Sequence, residues 1–292
     1  MEEVYGGCTD TPDDRDFSAT HVLGAPNSPS PDSIDLLNTE SHNQGQTRRC
    51  TAYALTHVHE ILQRIEHQFK IELDADEQWK NQRPGGATEA GGDSLQNALS
   101  TLAKNGLKDN YGKTEDGFFR ITKYAKVDQS FDGWKARLAQ KLPIFTGAIV
   151  TATNFVNAKK TGYFTGNDGR RKDGHAFAVV GYENDELVCL NSADRKWGFF
   201  RNGTFKIKRK DWTGIFSGYV LYDKQDLEMI FRDVSENSPF AKEIKEMLDY
   251  NIMKGDNNST IPDAKDRFFR PNAPVTRGEL AVILSNFRKS LK

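Results

Sequence analysis

Three features of the sequence predict an α+β fold. Amphipathic helical periodicity is concentrated in the first half, short β-type runs bounded by glycine fill the stretch after Pro143, and the two kinds of segment are segregated rather than alternating. Helices followed by strands predict a helical lobe and a sheet lobe, with a cleft between them.

From Cys8 to Asp32 the chain is rich in Asp, Pro, Ser and Thr without sustained periodicity, and reads as an extended arm with no evident chemistry. Leu55, Val58, Ile61, Leu62, Ile65 and Phe69 then recur at helical spacing, which predicts a helix over Thr51–Phe69 with Cys50 at its N-terminus. A second helix follows Gly91-Gly92, with Leu95, Ala98, Leu99 and Leu102 on one face and Gly106 as its stop. A third runs through Phe131, Trp134 and Leu138. Strands are expected at Ile144–Val150, Ala176–Tyr182, Leu187–Leu190, Thr204–Ile207 and Gly218–Tyr222. The charged run Asp223–Glu228 reads as a linker. Beyond it lie a helix over Pro239–Tyr250 and another opening at Thr276, where Glu279 completes a capping box and Leu280, Ile283, Leu284 and Phe287 make an apolar face.

The bulk properties agree with this division. At 292 residues one large domain and an appendage are expected, here an arm at 1–30, a main domain at 31–223 and a module at 229–292. A net charge of -1 leaves no electrostatic footprint for nucleic acid. The longest apolar stretch, Leu142–Val150, is far short of the roughly 20 residues that span a bilayer. After Met1 there is no basic and apolar leader, so no signal peptide is visible. Cys8, Cys50 and Cys189 are too few for a disulfide framework, and no Cys/His cluster has zinc spacing, so neither a metal nor another cofactor is expected.

A catalytic thiol needs its anion favoured by a helix N-terminus and a nearby histidine, and Cys50 has the first of these. The surrounding run Asn43-Gln44-Gly45-Gln46-Thr47-Arg48-Arg49-Cys50-Thr51-Ala52-Tyr53-Ala54 resembles the nucleophile segment of the papain family, with Gln44 six positions before the cysteine. Asp173-Gly174-His175-Ala176-Phe177-Ala178-Val179-Val180-Gly181-Tyr182 resembles its histidine strand, and Asn191-Ser192 the asparagine that follows. Their distance from Cys50 is close to the roughly 130–150 residues of that pattern. Trp197-Gly198 matches a further pair, and Gly91-Gly92 resembles the glycines lining the substrate cleft, where bare backbone pairs with an extended peptide.

The resemblance covers about Pro31 to Tyr222. It implies a two-lobed fold with an antiparallel β lobe, a peptide or protein substrate, and a thiol peptidase activity without cofactor. Cys50 is then the nucleophile, His175 the base, Asn191 its orienting partner, and Gln44 with the Cys50 amide the oxyanion donors. The chain departs from the family at Thr47-Arg48-Arg49, which replaces Cys-Gly-Ser and puts two cations at the cleft. Arg48 and Arg49 either favour the thiolate or narrow the pocket beside the scissile bond. Ala193 replaces the tryptophan that shields the histidine–asparagine hydrogen bond, and the arm before Asn43 is short for an inhibitory prosegment.

The last module resembles one S-layer homology repeat through Phe231-Arg232-Asp233-Val234, Asn251-Ile252, Gly255, Phe268 to Pro271 and Val275-Thr276-Arg277-Gly278-Glu279. That resemblance implies a small helical module, a cell-surface or extracellular location on a bacterial envelope or virion, and Arg277 as a contact to anionic wall polymer. A single copy implies weak binding or self-assembly into a homo-oligomer. Two other readings stay open: an inactive papain-fold surface or virion structural protein, and a peptidase of peptidoglycan cross-links. His57, His59 and His67 lack metal-ligand spacing and read as solvated, Asp256–Asp263 as a polar loop, and Cys189 as core.

Overall fold

The apolar run expected at Ala176–Tyr182 forms the middle of an eleven-residue strand, Asp173–Glu183, on which the rest of the computed structural model is assembled. The structure describes residues 7–8, 31–67, 71–83, 92–108, 119–151, 153–165, 173–212, 215–223, short stretches between 238 and 253, and 269–290. The strands are β1 (Gly7–Cys8), β2 (Ser33–Asp35), β3 (Asp93–Ser94), β4 (Ile121–Lys126), β5 (Ile144–Val150), β6 (Tyr163–Phe164), β7 (Asp173–Glu183), β8 (Glu186–Leu190), β9 (Thr204–Lys208) and β10 (Tyr219–Asp223). The helices are α1 (Cys50–His67), α2 (Ala75–Gln82), α3 (Leu95–Asn105), α4 (Phe131–Ala139), α5 (Asn154–Thr161) and α6 (Arg277–Ser290).

The main path of the sheet runs β4-β10-β5-β7-β8-β9-β6, antiparallel except where β6 joins β9. Gly174 to Tyr182 are all buried, because β7 is paired on both edges and carries α1 on one face. A strand covered in this way reads as a continuous apolar run instead of an alternating one. At its far end Gly181 lets β2 pass: a Cβ there would lie 2.2 Å from the Ile34 carbonyl oxygen, where β2 pairs with β7.

The expected α1 is present, but its environment differs from the expectation. Ala54, Leu55, Val58, Ile61 and Leu62 are buried as the periodicity predicts, and so are His57, His59, Glu60 and Gln63. His57 and His59 are therefore not solvated, since the helix runs inside the molecule and both of its faces are covered. The side chain of His67 lies outside the described residues.

Three elements have weaker sequence signals. α2 has few apolar residues and is set by its N-cap, where Asp74 accepts a hydrogen bond from the Glu77 amide at 2.9 Å. β4 and α5 are short and mixed in character, and α5 stops at Gly162, whose φ of +83° is the left-handed helix end that glycine favours. Of the C-terminal module, α6 begins on the expected capping box: the Thr276 amide donates to Glu279 Oε2 at 2.8 Å, and the Glu279 amide to Thr276 Oγ1 at 3.2 Å. Most of the helix expected at Pro239–Tyr250, and the loop Asp256–Asp263, lie outside the described residues.

The sheet packs against α4 through Trp134, which is fully buried, meets Trp212 edge-on at 4.5 Å, and fills the space a Cβ on Gly218 would need. Trp134→Ala is expected to lower stability by about 3–5 kcal/mol, measured by urea denaturation, because it removes a fully buried ring and leaves a cavity that neighbours fill only in part.

Candidate active site

Cys50 is the first residue of α1 and has no exposed surface. The Tyr53 amide donates to the Arg49 carbonyl, so the helix begins at the cysteine, and the positive end of the helix dipole favours negative charge there. The helix that Cys50 begins packs on β7, the strand that holds His175. His175 is fixed in the sheet by pairing with Ala148 of β5 and is 3% exposed. Its Nε2 lies 2.7 Å from Asn191 Oδ1, just past the end of β8. A carbonyl oxygen only accepts, so Nε2 carries the proton and Nδ1 is the basic nitrogen of the neutral ring.

The aromatic cover that Ala193 cannot supply comes from elsewhere in the fold. Phe155 of α5 stands edge-on to His175 with ring centroids 5.0 Å apart, and Trp197 packs behind it at 5.3 Å. Both aromatics are buried, so water is kept from the His175–Asn191 hydrogen bond. Sequence reasoning missed Phe155; its only signal was an unassigned aromatic before the Gly162 stop.

Gln44 is buried beside Asn191. Its amide donates to the Ser192 carbonyl at 2.9 Å, and its side-chain oxygen accepts from Ser192 Oγ, which turns the Nε2 group the other way. One Nε2 hydrogen goes to the Thr47 carbonyl at 2.7 Å, and the group carries a second. Three of the expected residues, His175, Asn191 and Gln44, are thus linked by hydrogen bonds at the end of β8, and Cys50 starts the helix that packs on β7.

The two arginines before Cys50 are each held by a carboxylate. Arg48 Nη1 lies 2.9 Å from Asp173 Oδ2, at the start of the histidine strand, and Arg49 Nη1 lies 2.8 Å from Asp76 Oδ1 on α2. Tyr53 also donates to Asp76 at 2.9 Å. Burial alone would raise the Asp76 carboxyl, but these two donors outweigh it and hold it below the usual carboxylate range. Both cations are therefore tied into ion pairs that link the nucleophile segment to β7 and α2. Cys189 is buried in β8, and burial pushes its thiol well above the ordinary range, which makes it an inert core residue as expected.

Gly92 is buried with φ of +59°, a left-handed conformation, and Gly91 lies outside the described residues. Directly after Gly92, β3 pairs in parallel with β1, and Gly7 of β1 also pairs with Gly174, the neighbour of His175. The backbone of Gly7–Cys8 therefore bridges the two sides on which the candidate residues stand, a placement the featureless composition of the arm did not foretell. Arg277 is exposed at the first position of α6 and is not brought to these residues. Among the described residues no group of His, Cys, Asp and Glu could hold a metal ion, and no helix is long and apolar enough to cross a membrane.

The chain is similar to solved structures of cysteine proteases. Xylellain, a cysteine protease from Xylella fastidiosa, superposes with a TM-score of 0.65 at 21% identity, covering 76% of this chain and 97% of that one. Procathepsin B S9 from Trypanosoma congolense gives 0.62 at 16% identity, with 76% and 87% covered. The Carica candamarcensis cysteine protease CMS1MS2, solved with E-64, gives 0.54 at 21% identity, with 67% and 100% covered. No curated protein matches the sequence. The S-layer homology domain family matches residues 230–281. A two-lobed arrangement shared at such low identity is a likeness of fold, and the chain accordingly has the papain-like fold of these cysteine proteases, followed by an S-layer homology domain.

Proposed function

We propose that the chain is a cysteine endopeptidase with Cys50 as nucleophile and His175 as base, held at a cell surface by its C-terminal domain. The observation that carries this reading is the His175 Nε2–Asn191 Oδ1 hydrogen bond, which leaves Nδ1 as the base on the strand against which α1, begun by Cys50, packs. Nδ1 takes the thiol proton, and the thiolate attacks the scissile carbonyl. The oxyanion of the tetrahedral intermediate is stabilised by Gln44 Nε2 and the Cys50 amide. The imidazolium then protonates the leaving amine, and water, deprotonated by the same nitrogen, hydrolyses the thioester. Arg48 and Arg49 border the substrate's path, and Gly92, with Gly91, offers bare backbone to it.

This reading divides the chain into an arm at 1–30, a peptidase domain at 31–223 and a surface module at 229–292. Arg277, exposed at a helix start, is the contact to an anionic wall polymer, a use that suits the guanidinium fork. The exposed apolar side chains Leu280, Val282, Leu284 and Phe287 of α6 favour association of several copies, which would raise the avidity of a single repeat. The location that follows is a cell surface or the extracellular space.

Labelling by an epoxysuccinyl thiol inhibitor, read by intact mass, is expected to be stoichiometric at Cys50 and lost in Cys50→Ala and His175→Ala, together with turnover of an unfolded protein. An inert Cys50 without turnover would favour the scaffold reading. Faster digestion of wall material than of unfolded protein would favour the cross-link peptidase. Gln44→Ala should cost roughly 10²–10³ in kcat by removing one oxyanion donor. Deleting the region after Lys224 should abolish wall binding and spare hydrolysis, and loss of both would undo the division into domains. Because β1 lies beside Gly174 and Ser94, a chain lacking residues 1–30 should show a higher kcat/KM, chiefly through a lower KM.

A further inference from the structure

Midway along α1, far from solvent, Glu60 gathers donors from outside the helix. Its side chain is 1% exposed and accepts from Thr39 Oγ1 at 2.9 Å, from the Leu73 amide at 2.8 Å, and from His42 Nε2, which lies 2.9 Å from both carboxylate oxygens. One turn earlier on the same face, His57 Nε2 accepts the His42 amide at 2.8 Å, and the two rings stack 5.0 Å apart at 14°. That hydrogen bond requires His57 to be neutral with its proton on Nδ1. Burial first, and the neighbouring His42 second, hold the His57 pKa well below its ordinary value, in keeping with this tautomer.

His42 is thus gripped by α1 through both its main chain and its ring. The residues on either side of it are gripped by the sheet. Ser41 Oγ donates to the Asn191 carbonyl, and Gln44 is bound to Ser192 through main chain and side chain. Residues 39–44 therefore form a short bridge with one footing on Glu60 and His57 and the other on the asparagine that orients His175. A pair of a buried carboxylate and a half-buried imidazole is a poor way to gain stability, since desolvation takes back much of the attraction, whereas it is an effective way to fix a single geometry.

We propose that Glu60 and His57 are positioning residues, which hold His42 and through the bridge set Gln44, the oxyanion donor, at the reacting centre. Neither touches the substrate. The proposal rests on the peptidase reading for its kinetic consequence, though not for its structural one. Burial alone would lower the His42 pKa, but Glu60, with Glu72 and Glu40 further off, outweighs it and raises the pKa, while the stacked ring of His57 stays neutral. The charge attraction is therefore complete below the ordinary histidine range and fades as pH rises through the raised value. The Nε2–H of neutral His42 still donates to Glu60, so the bridge keeps its shape.

The test compares wild type with Glu60→Gln, His57→Leu and His57→Gln in the full chain, using turnover of an unfolded protein, iodoacetamide alkylation of Cys50, and hydrogen exchange of residues 39–44. Alkylation needs the thiolate and His175 but no oxyanion donor. Glu60→Gln and His57→Leu should lose roughly 10²-fold in kcat with KM and alkylation within about twofold, the scale of loss that small misplacements produce. Exchange at 39–44 should rise in both variants, and His57→Gln, whose side-chain oxygen can accept the His42 amide, should recover most of the kcat. Unchanged kcat, or a fall in alkylation that tracks the fall in kcat and in Tm, would overturn the proposal. Should wild type turn nothing over, the peptidase reading fails, and unchanged exchange at 39–44 in Glu60→Gln would then overturn the positioning role by itself.

Discussion

Burial of α1 against β7 is the constraint from which the rest of the molecule follows. The helix offers Ala54, Leu55, Val58, Ile61 and Leu62, and the strand offers an unbroken buried run from Gly174 to Tyr182. Each of the valine, leucine, isoleucine and phenylalanine side chains among them contributes on the order of 1.5–3 kcal/mol by leaving water. The contact also joins the helix that Cys50 begins to the strand that bears His175. A thiol at a helix start and an imidazole on a sheet are ordinary features when apart. Packing joins the elements that carry them.

Around this apolar contact the fold accepts several polar groups that would be costly if left alone. Glu60, His42 and His57 satisfy one another inside the helical lobe, while Arg48 with Asp173 and Arg49 with Asp76 tie the nucleophile segment to its neighbours. The arginine pairs are partly exposed, so solvent screening leaves each worth little in stability. Their effect is geometric. A cation that is already paired beside the cleft neither roams into it nor leaves a free charge there, and Arg48 in particular joins the segment before Cys50 to the strand two residues before His175. The same economy appears at the His175–Asn191 hydrogen bond, where Phe155 and Trp197 give the cover that residue 193 lacks.

Much of this was legible in the sequence. Long helices with strong periodicity, α1 and α3, and the continuous apolar strands β5 and β7 are specified by local pattern and by their stop signals, so their positions agree with expectation to within a few residues. α2 and α5 were not foreseen because each buries only a few side chains and gains its stability from caps and neighbours rather than from an amphipathic stripe. His57 and His59 were misjudged for a related reason. Polar residues on a helix are normally its solvated face, and only the segments at 38–44 and 71–73, folding over α1, make that face interior.

The sequence by itself determined the α+β class, the helix start at Cys50, the ordering of glutamine, cysteine, histidine and asparagine along the chain, and the match of residues 230–281 to an S-layer homology domain. All of these are written in local spacing and residue type, which need no partner to be read. Visible first in the folded molecule are the packing of Phe155 on His175, the pairing of the arginines with Asp173 and Asp76, the place of Gly7–Cys8 beside β3 and β7, and the contacts of Glu60 with Thr39 and His42. Those relations join residues distant in sequence whose proximity is set by the packing of α1 on the sheet, and no local propensity encodes a contact that exists only after the core has closed.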